Sequence, residues 1–246
     1  INNVSLGINF TESQNNLIQD CNISQSTTDA VASSSTYTNN TLLNLTSAES
    51  YSSLGNASLK IKEYLFVNAT YNSNLPLPNA NVSGYFNSSG VLDYSALTWA
   101  SGIAELQLTE RIISNLSTNY TTPHNITLSY SSSTGLLTNS TSINLTTDQG
   151  STINLSLSID CTAPGDNLNL NGAVSLCPGS FIARNMVINT NLTNVTCDNT
   201  ILLGDYDSNG IIINGASNVS ISDCELRNYY LAINVFNFSL YFDLNG

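Results

Sequence analysis

Asp205-x-Asp207-x-Asn209-Gly210 sets three oxygen-bearing side chains at alternate positions ahead of a glycine, the opening of a calcium-binding loop. The pattern stops there. Ala216 stands at the twelfth position, where such a loop needs a bidentate glutamate, so the stretch reads as a polar corner and no metal is expected. One histidine, His124, and one methionine, Met186, do not furnish an imidazole-rich or soft metal site either.

Acid–base chemistry on a sugar ring needs a base, an acid and a cation gathered on one face. The last part of the chain has only Arg184 and Arg227 as basic residues, residues 1–58 have none, and no spacing brings the two arginines together. No catalytic residue and no cofactor is expected. Lys60 or Lys62 with Glu105 and Asn125 supplies the residue types of an internal Lys–Asn amide, in a pattern that resembles isopeptide-forming modules. Paired lysines on a strand more simply protect a sheet edge. Trp99 with Tyr120, and Tyr229-Tyr230 with Tyr241, are the types found on sugar-binding platforms, but tyrosines in strands more often pack half-buried.

The densest chemical signal is Asn-x-Ser/Thr. It occurs at Asn3, Asn9, Asn22, Asn39, Asn44, Asn56, Asn68, Asn81, Asn87, Asn115, Asn119, Asn125, Asn139, Asn144, Asn154, Asn191, Asn194, Asn218 and Asn237, roughly twice the chance frequency for this composition. Dense N-linked glycosylation is expected, and with it an exported, extracellular protein at a cell surface. Charged residues make up only 9% of the 246 residues, so neutral polar groups must keep the surface soluble. The net charge of −12 offers no basic patch for phosphates, which excludes nucleic acid as a partner. No run of about 18 apolar residues is present, so no membrane insertion is expected. The chain opens on Ile1 without a basic-then-apolar leader, which reads as a processed product or a segment of something longer.

These residues must be carried by strands. Gly7-Ile8-x-Phe10, Asn15, Ile18, Asp20-Cys21-x-Ile23 recurs as Gly210-Ile211-x-Ile213, Asn218, Ile221, Asp223-Cys224-x-Leu226. Gly210-Ile211 recurs again 22 positions on as Ala232-Ile233, and Ala30-Val31 follows Gly7-Ile8 by 23. That period is one coil of a β-helix, in which alternate apolar residues stack inward while Asn and Gly take the left-handed corners. Asparagines at equivalent corners are expected to form hydrogen-bonded ladders. Residues 59–150 read differently. Leu59-Lys60-Ile61-Lys62, Tyr64-Leu65-Phe66-Val67 and later runs alternate, with turn residues between them, the pattern of an antiparallel sandwich.

Residues 161–181 (CTAPGDNLNLNGAVSLCPGSF) and 191–229 resemble the right-handed parallel β-helix repeats of archaeal surface proteins and the NosD-like family. The likeness spans most of residues 155–246 and, weakly, 1–50. Pro78-Asn79-Ala80-Asn81-Val82 followed by Gly102-Ile103-Ala104-Glu105-Leu106 resembles immunoglobulin-like or carboxypeptidase-regulatory-like modules. Together they imply an all-β fold: right-handed parallel β-helix segments at both ends of the chain, with an antiparallel β-sandwich between. The segments are 1–58 (coils), 59–150 (sandwich) and 151–246 (β-helix with an N-terminal cap loop). The resemblance also implies a disulfide between Cys161 and Cys177 across the cap loop. Cys21, Cys197 and Cys224 then read as buried thiols, since cysteine packs as a small hydrophobe.

The expected function is a non-enzymatic glycosylated structural protein of an archaeal cell surface, a subunit or repeating segment of a filament, sheath or S-layer-type assembly. From Ala232 through Gly246 to Gly7 of a following copy is 21 residues, close to the 22 between Gly210 and Ala232, so copies of the chain are expected to join head to tail. The alternatives are a secreted adhesin or carbohydrate-binding β-helix protein and, after it, a polysaccharide lyase or epimerase, which shares the fold without dictating the activity.

Overall fold

The computed structural model describes residues 5–23, 28–45, 50–72, 74–115, 117–132, 135–148, 150–237 and 242–245, with only the backbone at 36–37 and 242–245. Every regular element among them is a strand. The chain begins with β1 (Leu6–Thr11), β2 (Leu17–Gln19), β3 (Thr28–Leu43) and β4 (Tyr51–Tyr71). β1 and β2 lie in parallel on successive parts of β3, with Ile8 beside Ala30 and Ile18 beside Leu42. β3 lies in parallel on β4, with Leu42 beside Ile61.

β4 is a single strand of 21 residues, and Ser58 and Leu59 are consecutive within it. Its alternation explains its place. Leu59, Ile61, Leu65, Val67, Ala69 and Tyr71 point to one face and are buried, while Lys60, Lys62, Tyr64, Phe66 and Asn68 on the other face are half-exposed.

The antiparallel part comprises β5 (Leu75–Pro76), β6 (Asn81–Phe86), β7 (Leu92–Leu97), β8 (Ile103–Ser114), β9 (Ser117–Tyr120), β10 (His124–Ser132) and β11 (Gly135–Ile143). β8 runs antiparallel along β4, with a bulge opposite Ile61 and Lys62, and β9 folds back on β8. A separate antiparallel sheet has the order β11-β10-β6-β7. Leu65, Val67, Leu106 and Leu108 from the first sheet and Val82, Ile126, Leu128 and Tyr130 from the second form one buried cluster. Alternate residues of β4, β6, β8 and β10 enter that cluster, which fixes the register of these strands.

β12 (Thr152–Leu157) then returns to β4 in parallel, with Ile153 beside Val67. Because β8 already covers Ser58–Asn68 on one edge, β12 takes the edge that β3 leaves after Lys62. Beyond it wind β13 (Ala173–Leu176), β14 (Gly179–Ile182), β15 (Met186–Ile188), β16 (Asn194–Cys197), β17 (Thr200–Leu203), β18 (Asn209–Asn214), β19 (Val219–Ser222), β20 (Glu225–Arg227), β21 (Leu231–Phe236) and β22 (Phe242–Asn245). They form three parallel sheets, β13-β16-β19-β22, β14-β17-β20 and β15-β18-β21, the walls of a parallel β-solenoid. Leu176, Met186, Ile188, Val195, Leu202, Ile211, Ile213 and Ile221 fill its interior. Two hydroxyls tie it to the antiparallel part: Tyr71 donates to the Pro178 carbonyl at 2.7 Å and Tyr130 to that of Asp198 at 3.4 Å.

The corners follow the residue types. Of the non-glycine residues with positive φ, all but Glu12, Leu192 and Tyr206 are Asn or Asp, whose short side chains tolerate the left-handed region. Amides pair between neighbouring rungs: Asn16 donates to the Asn40 side-chain oxygen at 2.9 Å, Asn68 to Asn154 at 2.9 Å and Asn237 to Asn214 at 2.7 Å.

A disulfide joins Cys161 to Cys177. The buried-thiol reading of Cys21, Cys197 and Cys224 is corrected. Cys197 and Cys224 are bonded across adjacent coils, and Cys21 is exposed with a free thiol. The reason is the corner. Cys197 ends β16, Cys224 follows the left-handed Asp223, and one coil of pitch separates their Cα atoms by 4.8 Å, within disulfide range.

Two substitutions test this packing. A side chain at Gly210 would strike the Ala232 carbonyl and lie within 2.8 Å of Leu226, so Gly210→Val is expected to cost about 3 kcal/mol in denaturant unfolding, whereas Ser220→Val on the outer face costs less than about 0.5. The pair Cys197→Ser/Cys224→Ser is expected to lose about 3 kcal/mol, and no loss would contradict a native bond.

Candidate functional site: the coil ends

Gly7 and Gly210 stand in the same surroundings. A Cβ at Gly7 would come within 2.6 Å of the Asp29 carbonyl, on the next rung, and 2.7 Å of Ile23. At Gly210 it would meet the carbonyl of Ala232, again on the next rung, and Leu226, which occupies the motif position of Ile23. The match extends to the turn that follows. Asp20 and Asp223 have φ of 55° and 60°, and the Cys21 and Cys224 sulfurs each approach the carbonyl two residues back, at 3.3 and 3.4 Å. Residues 7–23 and 210–226 therefore share residue types and local contacts, although β1 and β2 both lie on β3 while β18, β19 and β20 belong to three separate sheets.

Both coils are uncovered among the described residues. β20, β21 and β22 each pair on one edge only, as do β1 and β2. The interior residues register this. Ile211 and Ile213 in β18 are 0% and 1% exposed, whereas Leu231 and Val235, two residues either side of Ile233 in β21, are 42% and 39% exposed. At the other end Ile8 and Ile18 are half-buried and Leu17 is exposed. Unpaired strand edges with bare apolar residues are templates for another strand.

The sequon asparagines face solvent. Every described one is exposed except Asn39 and Asn68, which are half-buried; Asn3 lies outside the described residues. Asn191, Asn218 and Asn237 follow β15, β18 and β21 in turn, so they and Asn194 line one corner of the solenoid. The sheet β14-β17-β20 carries no sequon.

One group of charged residues lies where the antiparallel sheets meet. Asp93 on β7 accepts the backbone N–H of Thr109 at 2.5 Å and its hydroxyl at 2.9 Å, and the His124 Nε2–H at 3.2 Å. Lys62 lies 3.6 Å from the same carboxylate and donates to the Gln107 carbonyl at 3.1 Å. Burial alone would raise the Asp93 carboxyl, but His124, the Thr109 backbone and Lys62 outweigh it and hold it below its usual range. His124 is fully buried, and its Nδ1 has no hydrogen-bond partner among the described residues. Beside this group the Arg111 guanidinium stacks on Tyr51 and Tyr120, 5.2 and 5.8 Å from the ring centres. The cluster is enclosed, and its carboxylate is shared by Lys62, Thr109 and His124, an arrangement suited to holding sheets together.

Other residues singled out in the sequence are placed apart. Asn125 is exposed on β10 while its neighbours His124 and Ile126 are buried, so the structure gives Lys62 to Asp93 and not to Asn125. Asp205 Oδ1 accepts the N–H groups of Asp207 and Ser208 and the Ser208 hydroxyl, closing its own turn, and Oδ2 pairs with Arg184 at 3.1 Å. Arg184 also reaches Asp166 at 2.5 Å, and both carboxyls are held below their usual range by hydrogen bonds, Asp166 chiefly from Arg184 and Asp205 from Ser208 and then Arg184. Arg227 pairs with Glu225. Each arginine is thus taken up by its own carboxylates. Trp99 is exposed, and the Tyr229 hydroxyl donates to the Ala183 carbonyl at 2.5 Å as burial pushes the phenol up to about 12. Tyr241 lies outside the described residues. An open groove of 570 Å³ runs between the β10–β11 turn and the coils, with Ser131, Ser132, Thr196, Asp198, Asp223 and Glu225 on its walls.

No family model matches the chain, and no curated protein and no solved structure is similar to it.

Asp93 gives a pH test. A depressed carboxyl stabilises the fold above its unfolded value near 3.8, and that stability is lost as pH falls through the lower folded value. Asp93→Asn is expected to cost about 3 kcal/mol at pH 7, because Lys62 and His124 lose their carboxylate. The gap between variant and parent should narrow in urea titrations as pH falls below 3.8; a gap that stays constant as acid is added would contradict the assignment.

Proposed function

We propose that the chain is a non-enzymatic, heavily N-glycosylated extracellular structural protein, a subunit or repeating segment of an archaeal cell-surface filament, sheath or S-layer-type assembly. In this reading β-helix segments stand at both ends with an immunoglobulin-like sandwich between, and copies join head to tail. One observation carries it: the coils around Gly7 and Gly210 share their packing and their turn, and each presents an unpaired edge. Two different unpaired edges on one chain can meet in a heterologous contact between copies, which extends into fibres when it does not close.

The surface supports the same reading. Exposed sequon asparagines fit a glycan coat, and two disulfides fit an oxidising compartment. The buried charged cluster accounts for three of the chain's scarce ionisable groups, Lys62, Asp93 and His124, in structural roles.

A secreted adhesin or carbohydrate-binding protein is the second reading, favoured by the groove beside Asp198, Asp223 and Glu225, whose carboxylates suit sugar hydroxyls. A lyase or epimerase would need a cation on that face, and Arg227 is committed to Glu225.

Electron microscopy of the secreted, purified chain separates these readings. Regular fibres with one subunit spacing are expected; isolated rods at high concentration that bind oligosaccharides on an array would favour the second. Glycopeptide mass spectrometry should find sugar on most exposed sequons, including Asn191, Asn194 and Asn218, and unmodified asparagine at most of them would remove the glycan coat from the account.

A further inference from the structure

We infer that the outer face of the sheet formed by β2, β3, β4, β8 and β9 binds an acidic saccharide, a chain of sugars that carry carboxylates, in a groove centred on Lys60. This goes beyond the structural reading and does not depend on how copies join.

Lys60 is the cation that the fold leaves unused. Lys62 is taken by Asp93, Arg111 by Glu110 and two tyrosine rings, Arg184 by Asp166 and Asp205, and Arg227 by Glu225. Lys60 has no such partner among the described residues. Edge protection does not account for it either, because Lys60 sits inside the sheet, with Thr41 of β3 on one side and Ile112 of β8 on the other. Leu17, Thr41, Lys60, Ile112 and Asn119 stand abreast on the five strands, opposite the face whose Leu42, Leu59 and Ile61 are buried.

Two open grooves run into each other on this outer face. One, of 460 Å³, has Asn56 and Asn115 on its walls, the other, of 400 Å³, has Asn15, Thr41 and Gln107, and Asn39 and Lys60 border both. Neither is lined by an Asp or Glu, in a chain with seventeen of them against five Lys and Arg. Asp20 and Glu105 lie farther along the face, beside Tyr64. An acidic molecule thus carries one locally cationic groove.

The lining selects the class of ligand. The side-chain amides of Asn15, Gln107 and Asn115 and the Thr41 hydroxyl have no partner among the described residues, so they offer donors and acceptors together, the match for sugar hydroxyls. Lys60 adds a point charge for a carboxylate. Asn39 accepts the Ser58 hydroxyl and Asn56 donates to the Ser35 carbonyl, which fixes the shape of the groove before a ligand arrives. A polypeptide would need apolar anchors, and Leu17 is the one exposed large apolar side chain in either lining.

The test titrates the full chain with a galacturonic-acid hexasaccharide in a calorimeter, after export to a bacterial periplasm, where disulfides form and sequons stay unmodified. Binding is expected. It should weaken at least about tenfold in Lys60→Gln, with the unfolding midpoint unchanged, and as much with the neutral galactose hexasaccharide; raised salt should weaken it too. No binding, binding that Lys60→Gln leaves intact, or equal affinity for a polyglutamate peptide or for galacturonate monomer would overturn the proposal. The glycosylated chain must bind as well. Loss of binding there would put the chain's own sugars in the groove, overturning the proposal and leaving the glycan coat standing.

Discussion

Everything in this molecule hangs on β4 being hydrogen-bonded along both edges at once. One edge takes β3 up to Lys62 and β12 from Phe66, both in parallel, and the other takes β8 in the opposite direction. A strand of 21 residues can serve these partners because its pleat keeps one face apolar from Ala57 to Tyr71, apart from Glu63. A shift of one residue would turn that face to solvent, so the register with β8 sets the registers with β3 and β12 as well. β3 and β12 are thereby successive parallel partners of a single edge.

Low charge has a structural cost that this chain meets locally. With so few ion pairs available, the corners are held by amides and hydroxyls, and asparagine serves twice, as the left-handed residue and as the rung-to-rung donor. Buried Asp93 is met by the Thr109 N–H, His124 and Lys62, and buried Asp29 accepts the Ser50 N–H. The exposed arginines do the equivalent outside, Arg184 pinning Asp166 to Asp205 across separate turns of the coil.

Much of this was legible in the residues. The Gly-Ile motif and its spacing marked the coils, and the Asn-rich corners marked where the backbone must turn left-handed. β3 and β4 were not legible as single long strands, because hydrophobic alternation reads the same whether a strand ends in one unit or runs on into the next. The bond between Cys197 and Cys224 escaped for another reason: it depends on how far one coil advances, which spacing along the chain does not give. Asp93, Thr109 and His124 come together only through sheet packing, and no short motif links them. The coil ends were half legible. The motif announced them, but the bare Leu231 and Val235 appear only once β21 is placed at the edge.

The central claim is that the open edges of the first and last coils recognise each other. Amide hydrogen exchange measured on the chain at low and at high concentration tests it residue by residue. The account predicts new protection confined to the outer-edge amides of β1, β2, β21 and β22 as concentration rises, with β4 and β8 already protected and unchanged. Unchanged exchange in all four edge strands, or protection appearing on the sheet β11-β10-β6-β7 in their place, would contradict it.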